Sequence, residues 1–590
     1  MIIQRLHEYY NILAKDPDVD IPHMGYEKAN TSIALTISLE GELISALDMR
    51  AEGRGNKLVP VSVEVPFLKR RTSGIDPYFL SDNAAYLLGI DYPENPDRTK
   101  HSKEASTKLH NDILQGIDDN GAKAVLRFLN RWELKDINNS TKLAECMEII
   151  NNGGRIVFRL EGEDGYIHER IKIRQAWEAY CSNIQVLEKN QCLVSGNIGA
   201  IAKTHPPIKG VYGSQSSGAA LISFNDQAFE SYGKKQNFNS PISEEVAFSY
   251  TTILNYMLKH PKHHIKIGDE TVILWAEKSE SLYEEILLQL LDTEEEQDNK
   301  SSSTYKHSMQ SVQAVADILQ RVKQGKSIEG SMIGFDPNVK FYILGLSPNN
   351  ARLSVRFWHT DHFGKLVERV VSHHIDLMIE KLPHAPNEIS LRRILDETVP
   401  KKARDRKVNP LLAGAIMRSI LLGAPYPQML YTTILNRIKA DGDINYIRVA
   451  IIKGCLIRNA RNEKSHIKER MLTMSLNEEN TSIGYNLGRL FACLEKVQQD
   501  ATPKLNATIK DRYFSSASAT PQAVFPVLLR LAQHHIAKSE FGGLRDKEIQ
   551  EVIGRVDKFP TNLSLEEQGQ FVLGYYHQKQ DFYKKADKKS

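Results

Sequence analysis

The sequence predicts an α+β fold: an N-terminal antiparallel β-containing region with helices, followed by a mainly helical region and a C-terminal helical bundle. Three observations carry this. Residues between 33 and 65 alternate in polarity with a period of two, the chain beyond about residue 82 turns mostly helical, and three amphipathic helices, two of them with cap signals, lie near its end.

In chain order, Ile33, Leu35, Ile37 and Leu39 alternate with Ala34, Thr36 and Ser38; Glu40-Gly41 supplies a reversal and Leu43 to Leu47 returns, a hairpin signature. Leu58 to Val65 offers a third, valine-rich strand that Pro60 assigns to an edge, so a small antiparallel sheet is expected. Asp82 to Glu188 reads as mostly helical, for example Ala122 to Trp132, before Cys192 to Phe224 becomes rich in Gly, Ser and Pro. Ser243-Glu244-Glu245, preceded by Pro241, opens an apolar-periodic helix to Leu258. The stretch from Asp292 to Ser303 holds no apolar residue to offset its ordering entropy and reads as a linker.

Phe341 to Leu346 and Arg352 to Trp358 flank the turn-rich Ser347-Pro348-Asn349-Asn350 and predict a second hairpin, with Leu353, Val355 and Phe357 on one face and Arg352, Ser354 and Arg356 on the other. Beyond it, Leu487, Leu490, Phe491 and Leu494 share a helical face; Thr520-Pro521 starts a helix through Phe525 to Ile536, and Ser564-x-x-Glu567 is a capping box before Phe571 to Tyr576. Four segments are expected: 1–291, the linker 292–303, 304–473 with a hairpin and basic helices, and 474–590 as the bundle. The 590 residues are room for about four domains at roughly 150 each.

Composition excludes some classes and leaves others. At 41% hydrophobic and 25% charged residues the chain is an ordinary globular protein, not a fibrous or disordered one. Five cysteines without a CxxC pair suit a reducing compartment, and the start of the chain resembles no secretory signal. No apolar window is long enough for a membrane helix, so a cytoplasmic protein without membrane contact is expected.

The net charge of +3 gives no hint of a polyanion partner, but it is unevenly spread. Between Lys401 and Arg470 stand 15 Lys or Arg against five Asp or Glu, a local +10. Such a helical stretch, with Tyr431 and Tyr446 interleaved, suits phosphate contact; a solvated helical face explains it equally. A second cluster, Lys69-Arg70-Arg71-Thr72-Ser73-Gly74, joins cations to hydroxyls ahead of Asn83, a type of side chain that reads base edges, although three cations at a strand end are also common on any surface. A third, Lys209-Gly210-Val211-Tyr212-Gly213-Ser214-Gln215-Ser216-Ser217-Gly218, offers backbone amides and hydroxyls to an anion, or is a plain loop.

Enzyme motifs fare worse. Gly325-Lys326-Ser327 ends like a Walker A motif, but Gln320 stands where its first Gly belongs. His359-Thr360-Asp361-His362 and the pairs His263-His264, His373-His374 and His534-His535 lack metal-ligand spacing, and Cys192 with His205 lacks a third partner.

Longer strings carry a resemblance. Arg70-Arg71-Thr72-Ser73-Gly74-Ile75 with Asp82-Asn83-Ala84-Ala85-Tyr86-Leu87-Leu88-Gly89 resembles the N-terminal signature of the large subunit of the type I-C CRISPR surveillance complex (Cascade, Dvulg subtype). The likeness continues through Lys209-Gly210-Val211, Gln215-Ser216-Ser217-Gly218-Ala219, Glu230-Ser231-Tyr232-Gly233-Lys234 and Phe341-Tyr342-Ile343-Leu344-Gly345-Leu346. It reaches Arg352-Leu353-Ser354-Val355-Arg356-Phe357-Trp358, Asn506-Ala507-Thr508-Ile509-Lys510-Asp511-Arg512-Tyr513 and Gln578-Lys579-Gln580, so it is near full length.

The resemblance implies a non-catalytic subunit without cofactor. It would recognise the protospacer-adjacent motif on duplex DNA and promote RNA-guided R-loop formation in antiviral defence, leaving cutting to a recruited helicase-nuclease. Its partners would be CRISPR RNA, target double-stranded DNA, and the Cascade backbone, handle-binding and small subunits. It implies nucleic-acid contacts at Lys69, Arg70, Arg71, Thr72, Ser73 and Asn83, and a second group at Lys209, Gln215, Ser216, Ser217, Lys234 and Lys235. It also implies a small-subunit-like tail, which an internal start at Met474 or Met471 would release. The rival readings are a metal-dependent nucleic-acid hydrolase using His359, Asp361 and His362, and a structural scaffold that binds only proteins.

Overall fold

The N-terminal strands sort by how much of each is buried. In the computed structural model, which describes residues 1–53, 57–68, 71, 74–90, 96–133, 141–184, 189–291, 309–324, 335–381, 385, 389–401, 408–503 and 506–587, a helix over Ile2–Leu13 leads into β1 (Tyr26–Thr31), β2 (Ile33–Ile37) and β3 (Leu43–Asp48). Then follow β4 (Ala51–Glu52), β5 (Leu58–Val59), β6 (Val61–Pro66) and β7 (Ser81–Asp82). The expected hairpin is β2 with β3, antiparallel, with a register shift between Thr36 and Ile37.

The expected third strand behaves differently. It is interrupted at Pro60, which has no N–H to give a ladder, and its longer part, β6, pairs with β1 rather than with the hairpin. β2 is apolar on both faces, with Ile33, Ala34 and Leu35 fully buried, so it needs neighbours on both edges. Its second edge is filled in parallel by β8 (Ile156–Leu160), a strand inside the stretch expected to be mostly helical. The result is a mixed sheet in the order β3-β2-β8-β7, which corrects the small antiparallel sheet of the sequence reading.

Helices over Ala84–Leu87, Pro96–Leu114, Asn120–Arg131, Met147–Asn151 and Ile171–Ile184 belong to the same region. The third starts where Asp119 accepts from the Ala122 amide, and its buried face carries Val125, Phe128 and Leu129. Phe128 meets Phe158 of β8 edge-to-face, and Phe79 stacks on Trp177, so the core joins sheet and helices. β9 (Lys189–Gln191) and β10 (Ile198–Ala200) form a short hairpin, and the helix Glu244–Lys259 begins as expected, with Ser243 Oγ accepting from the Val246 amide.

The chain divides into two compact units, Met1–Pro207 with Ile222–Tyr256, and Ile208–Leu221 with Met257–Ser590. The second holds an antiparallel sheet of β11 (His264–Ile267), β12 (Glu270–Ala276), β13 (Lys340–Asn349) and β14 (Arg352–His362), in that order. β13 and β14 are the expected hairpin, but they run longer than expected: Ser347, Pro348 and Asn349 are paired, and the reversal falls at Asn350, with φ 54°. A register shift at Gly345/Leu346 breaks the alternation of β14: Arg356 has no opposite number between Val355 and Phe357, so Phe357 no longer shares a face with Leu353 and Val355, which corrects the expected grouping of the three. The linker 292–303 and Gly325-Lys326-Ser327 lie outside the described residues.

Among its described residues the tail has five helices, where the sequence reading named three: Ile483–Ala501, Ile509–Ala517, Pro521–Lys538, Gly542–Ile553 and Leu565–Asp587. The capping box forms, with Glu567 Oε2 accepting from the Ser564 amide and Ser564 Oγ from the Glu567 amide. Ile483–Ala501 and Leu565–Asp587 approach so closely that a Cβ at Gly488 would clash with the Phe571 carbonyl oxygen. The tail shares one core with the middle of the chain: buried residues from Ile267 to Phe582 form a continuous cluster, and Tyr431 Oη donates to the Leu565 carbonyl. Among the described residues no helix is long and apolar enough to cross a membrane.

Candidate nucleic-acid interface

Between β6 and β7 the described residues are held together by their own side chains. Of the first group of sequence-predicted residues, Lys69, Arg70, Thr72 and Ser73 lie outside the described residues, whereas Arg71 and Asn83 are placed. Arg71 Nη2 donates to Asp82 Oδ2 at 2.6 Å and Nε to the Asp76 carbonyl at 2.8 Å, while its guanidinium lies over the rings of Tyr86 and Tyr78 at 3.7 and 4.4 Å. The other face of this network is Arg155, bound to Ser81 and Glu27 and 5.0 Å from the Tyr78 ring centre. Arg71 is thus a latch across the foot of the loop.

Asp82 is buried and accepts at Oδ2 from the Tyr78 amide and at Oδ1 from the Asn83 amide. Burial pushes its carboxyl up, against the pull of Arg71 and those amides. Asn83 precedes the short helix Ala84–Leu87 without capping it by its side chain, and among the described residues its buried Oδ1 has no hydrogen-bond partner.

The Gly-rich loop of the second unit is ordered by its ends. Ile208 pairs with Ala219, Val211 is buried, and the Tyr212 amide donates to Thr271 Oγ1. Gly210, Gly213 and Gly218 all take positive φ, 91°, 75° and 96°, which lets the chain turn three times in nine residues. Lys209, Gln215, Ser216 and Ser217 are left on its exposed rim. Lys266 of β11, which the sequence did not single out, places Nζ 3.0 Å from the centre of the Tyr212 ring, where its hydrogen bond lowers the phenol pKa. Lys234 and Lys235 are exposed in a separate loop of the first unit.

Among the described residues, most cations of the basic stretch 401–470 are tied up by partners, some inside the stretch and others from outside it. Arg448, fully buried, pairs with Glu397 and Asp441, each at 2.6 Å. Arg458 and Arg461 share Asp376 at 2.9 and 3.0 Å, and Lys453 donates to the Asp376 carbonyl. Burial brings Lys453 down to about 8 despite Asp376. Lys401 pairs with Asp443, Arg437 with Asp441, Lys468 with Glu463 and Glu566, and Lys439 donates to Gln568. Among the described residues much of the local charge is therefore an internal framework; Lys402, Arg404, Arg406 and Lys407 lie outside them.

The weaker motifs resolve into local bonds. Asp361 is bound by Arg369 at 2.7 Å, so its carboxylate already has a cation beside His359 and His362. His263 faces the Leu274 carbonyl, His264 that of Met257, His374 that of Leu290, and His373 the Tyr426 hydroxyl. Cys192 Sγ accepts from the Ser243 amide while His205 bonds Tyr250, so the two do not pair. Among the described residues no group of three or more His, Cys, Asp or Glu is placed to hold a metal ion.

On a mixed α+β scaffold the described residues place a segment tied down by Arg71 and a glycine-turned loop that leaves Lys209, Gln215, Ser216 and Ser217 exposed; with the strings quoted from the sequence, these features point to a CRISPR-associated protein. The chain belongs to the CRISPR-associated protein family Cas_Csd1, whose model matches residues 6–583. No curated protein matches it.

Proposed function

We propose that this protein is the non-catalytic large subunit of a type I-C Cascade, which recognises the protospacer-adjacent motif on duplex DNA and promotes RNA-guided R-loop formation. The observation that carries the reading is the family match over residues 6–583, read with the resemblance of the strings around Arg71, Gln215 and Phe341. The division of labour is physical: base pairing with a guide reads a long sequence, so the protein has only to read a short motif and the backbone. Arg71, tied to Asp82, fixes one point of the segment between β6 and β7, and an anchored residue has less entropy to lose on docking. Lys69, Arg70, Thr72, Ser73 and Asn83 would approach the motif, and the rim at Lys209, Gln215, Ser216 and Ser217, with Lys234 and Lys235, would take duplex or displaced-strand phosphates.

Two measurements test this. Captured full-length chain is expected to bring down CRISPR RNA and the other Cascade subunits, and to bind duplex DNA in a salt-dependent, motif-dependent manner without cutting it. Alanine at Arg70 and Asn83 is expected to reduce that motif preference; unchanged affinity and preference would refute the loop assignment. Metal-dependent cleavage by the purified chain would favour the hydrolase, and absence of any salt-dependent gel shift would favour the scaffold. Mass spectrometry of the same complex tests the internal start: a second species beginning at Met474 or Met471 is expected, and a lone full-length species would refute it.

A further inference from the structure

The loop 225–240 is irregular yet fixed by its own side chains. Asn239 Oδ1 accepts from the Ser231 amide, its Nδ2 donates to the Lys234 and Gln236 carbonyls, each at 2.8 Å, and Glu230 accepts from the Gln236 amide. At its tip the Lys234 amide donates to the Ser231 carbonyl, closing a turn whose two central residues, Tyr232 and Gly233, both have positive φ, 55° and 71°. That turn ordinarily takes Asn, Asp or Gly at its first central position, because a bulky side chain is strained there. Here the position holds a tyrosine that is 99% exposed. The ring returns nothing to folding, whereas buried aromatics are among the largest contributors to a core.

A strained, presented aromatic on a rigid loop is a recognition element. Its immediate neighbours decide what it recognises. A protein-binding hot spot is ringed by residues that exclude water, but Ser231, Gly233, Lys234 and Lys235 around Tyr232 are all exposed and polar or small. An aromatic face beside two cations is the pattern of a stacking platform for single-stranded nucleic acid, in which the ring takes a base and the ammonium groups take adjoining phosphates. We propose that Tyr232 stacks on an unpaired base of an opened duplex, with Lys234 and Lys235 on the flanking backbone. This inference rests on the DNA-binding reading above and adds a contact specific to the opened state.

The test uses the full-length chain, alone and in the ribonucleoprotein it co-purifies with. The probes are one duplex carrying a five-nucleotide mismatched bubble with 2-aminopurine inside it, and its fully paired counterpart. Tyr232→Ala is expected to bind the bubble about five- to a hundredfold more weakly and to lose the change in 2-aminopurine fluorescence, the range one base–aromatic stack supplies. Tyr232→Trp is expected to retain both, and each variant to bind the paired duplex like the parent. If the parent binds DNA and Tyr232→Ala matches it on the bubble, the stacking is refuted while the DNA-binding reading survives; if the parent binds neither probe, that reading fails first. Loss of partner subunits by Tyr232→Ala with DNA binding intact would make the ring a protein anchor and overturn the proposal. Tyr232→Gly guards the interpretation: it is expected to keep or raise the melting temperature, and a fall would show that the ring packs.

Discussion

Arg71 Nη2 lies 2.6 Å from the carboxylate of Asp82, with the guanidinium 3.7 Å from the centre of the Tyr86 ring, so a cation in a string suggestive of DNA contact is spent on the protein itself. Two consequences separate a latch from a phosphate ligand. Arg71→Ala leaves Asp82 buried without its cation and is expected to destabilise the chain by about 3 kcal/mol in urea titration. Asp82→Asn is expected to weaken DNA binding even though it removes a negative charge. A phosphate-binding Arg71 predicts the opposite, because releasing it from Asp82 would strengthen the contact.

The cations of the basic stretch give a second expectation. Arg458 and Asp376 are both buried, so Arg458→Met should lower stability by about 3 kcal/mol or more, leaving Asp376 with only partial compensation from Arg461. The slope of log affinity for DNA against log salt should be unchanged in this variant wherever it remains folded. A slope reduced by about one would mean that Arg458 neutralises a phosphate.

The close approach of helices in the tail predicts a backbone clash. Gly488→Ala places a Cβ against the Phe571 carbonyl, and relief requires the two helices to separate. Overpacking of this kind costs about 1–3 kcal/mol, and the upper end is expected because the obstacle is main chain. Thermal unfolding of the full chain reads it; a shift indistinguishable from that of an exposed Gly543→Ala control would contradict the packing.

A buried acid sets a pH dependence. Glu284 is fully buried beside Glu285, and burial lifts its carboxyl to about 8, although its Oε1 accepts from the Ala276 amide. His263, 3.9 Å away, is pushed down to about 4 by burial. Between the ordinary glutamate pKa and about 8 the folded chain holds a proton on Glu284 that the unfolded chain has lost, so this group's contribution falls as pH rises. His263 acts oppositely from about 4 up to its ordinary value, where the unfolded chain holds the extra proton. Lys262, paired with Glu285, faces the same cluster. Above about pH 6.5, therefore, only the Glu284 loss remains of the two, and Glu284→Gln should remove a decline of up to about 1.4 kcal/mol per pH unit. Parallel melting curves of parent and variant from pH 6.5 to 8 would contradict this assignment.

Local signals were legible in the sequence, and non-local ones were not. The hairpin of β2 and β3, the helix after Ser243 and the Ser564–Glu567 capping box depend on residues within a few positions of one another, and each forms. Pairing of β2 with β8 joins residues more than 100 positions apart, and no periodicity encodes it. The face of Phe357 depends on one register shift opposite Gly345 and Leu346, which reverses the side that strict alternation from Leu353 and Val355 assigns. Of the candidate site, the loops were legible as strings of cations, hydroxyls and glycines, whereas Lys266 beside Tyr212 was not.

The sequence alone determined the class of fold, the local elements and, through strings spread along nearly its whole length, the family. Only the tertiary structure decided what the charges do. A window of +10 counts neighbours along the chain, but Coulomb energy depends on distance in space, and Asp376, Glu397 and Glu566 reach that window from outside it. For the same reason Arg71 became a latch while Lys234 and Lys235 remained in solvent beside the presented ring of Tyr232.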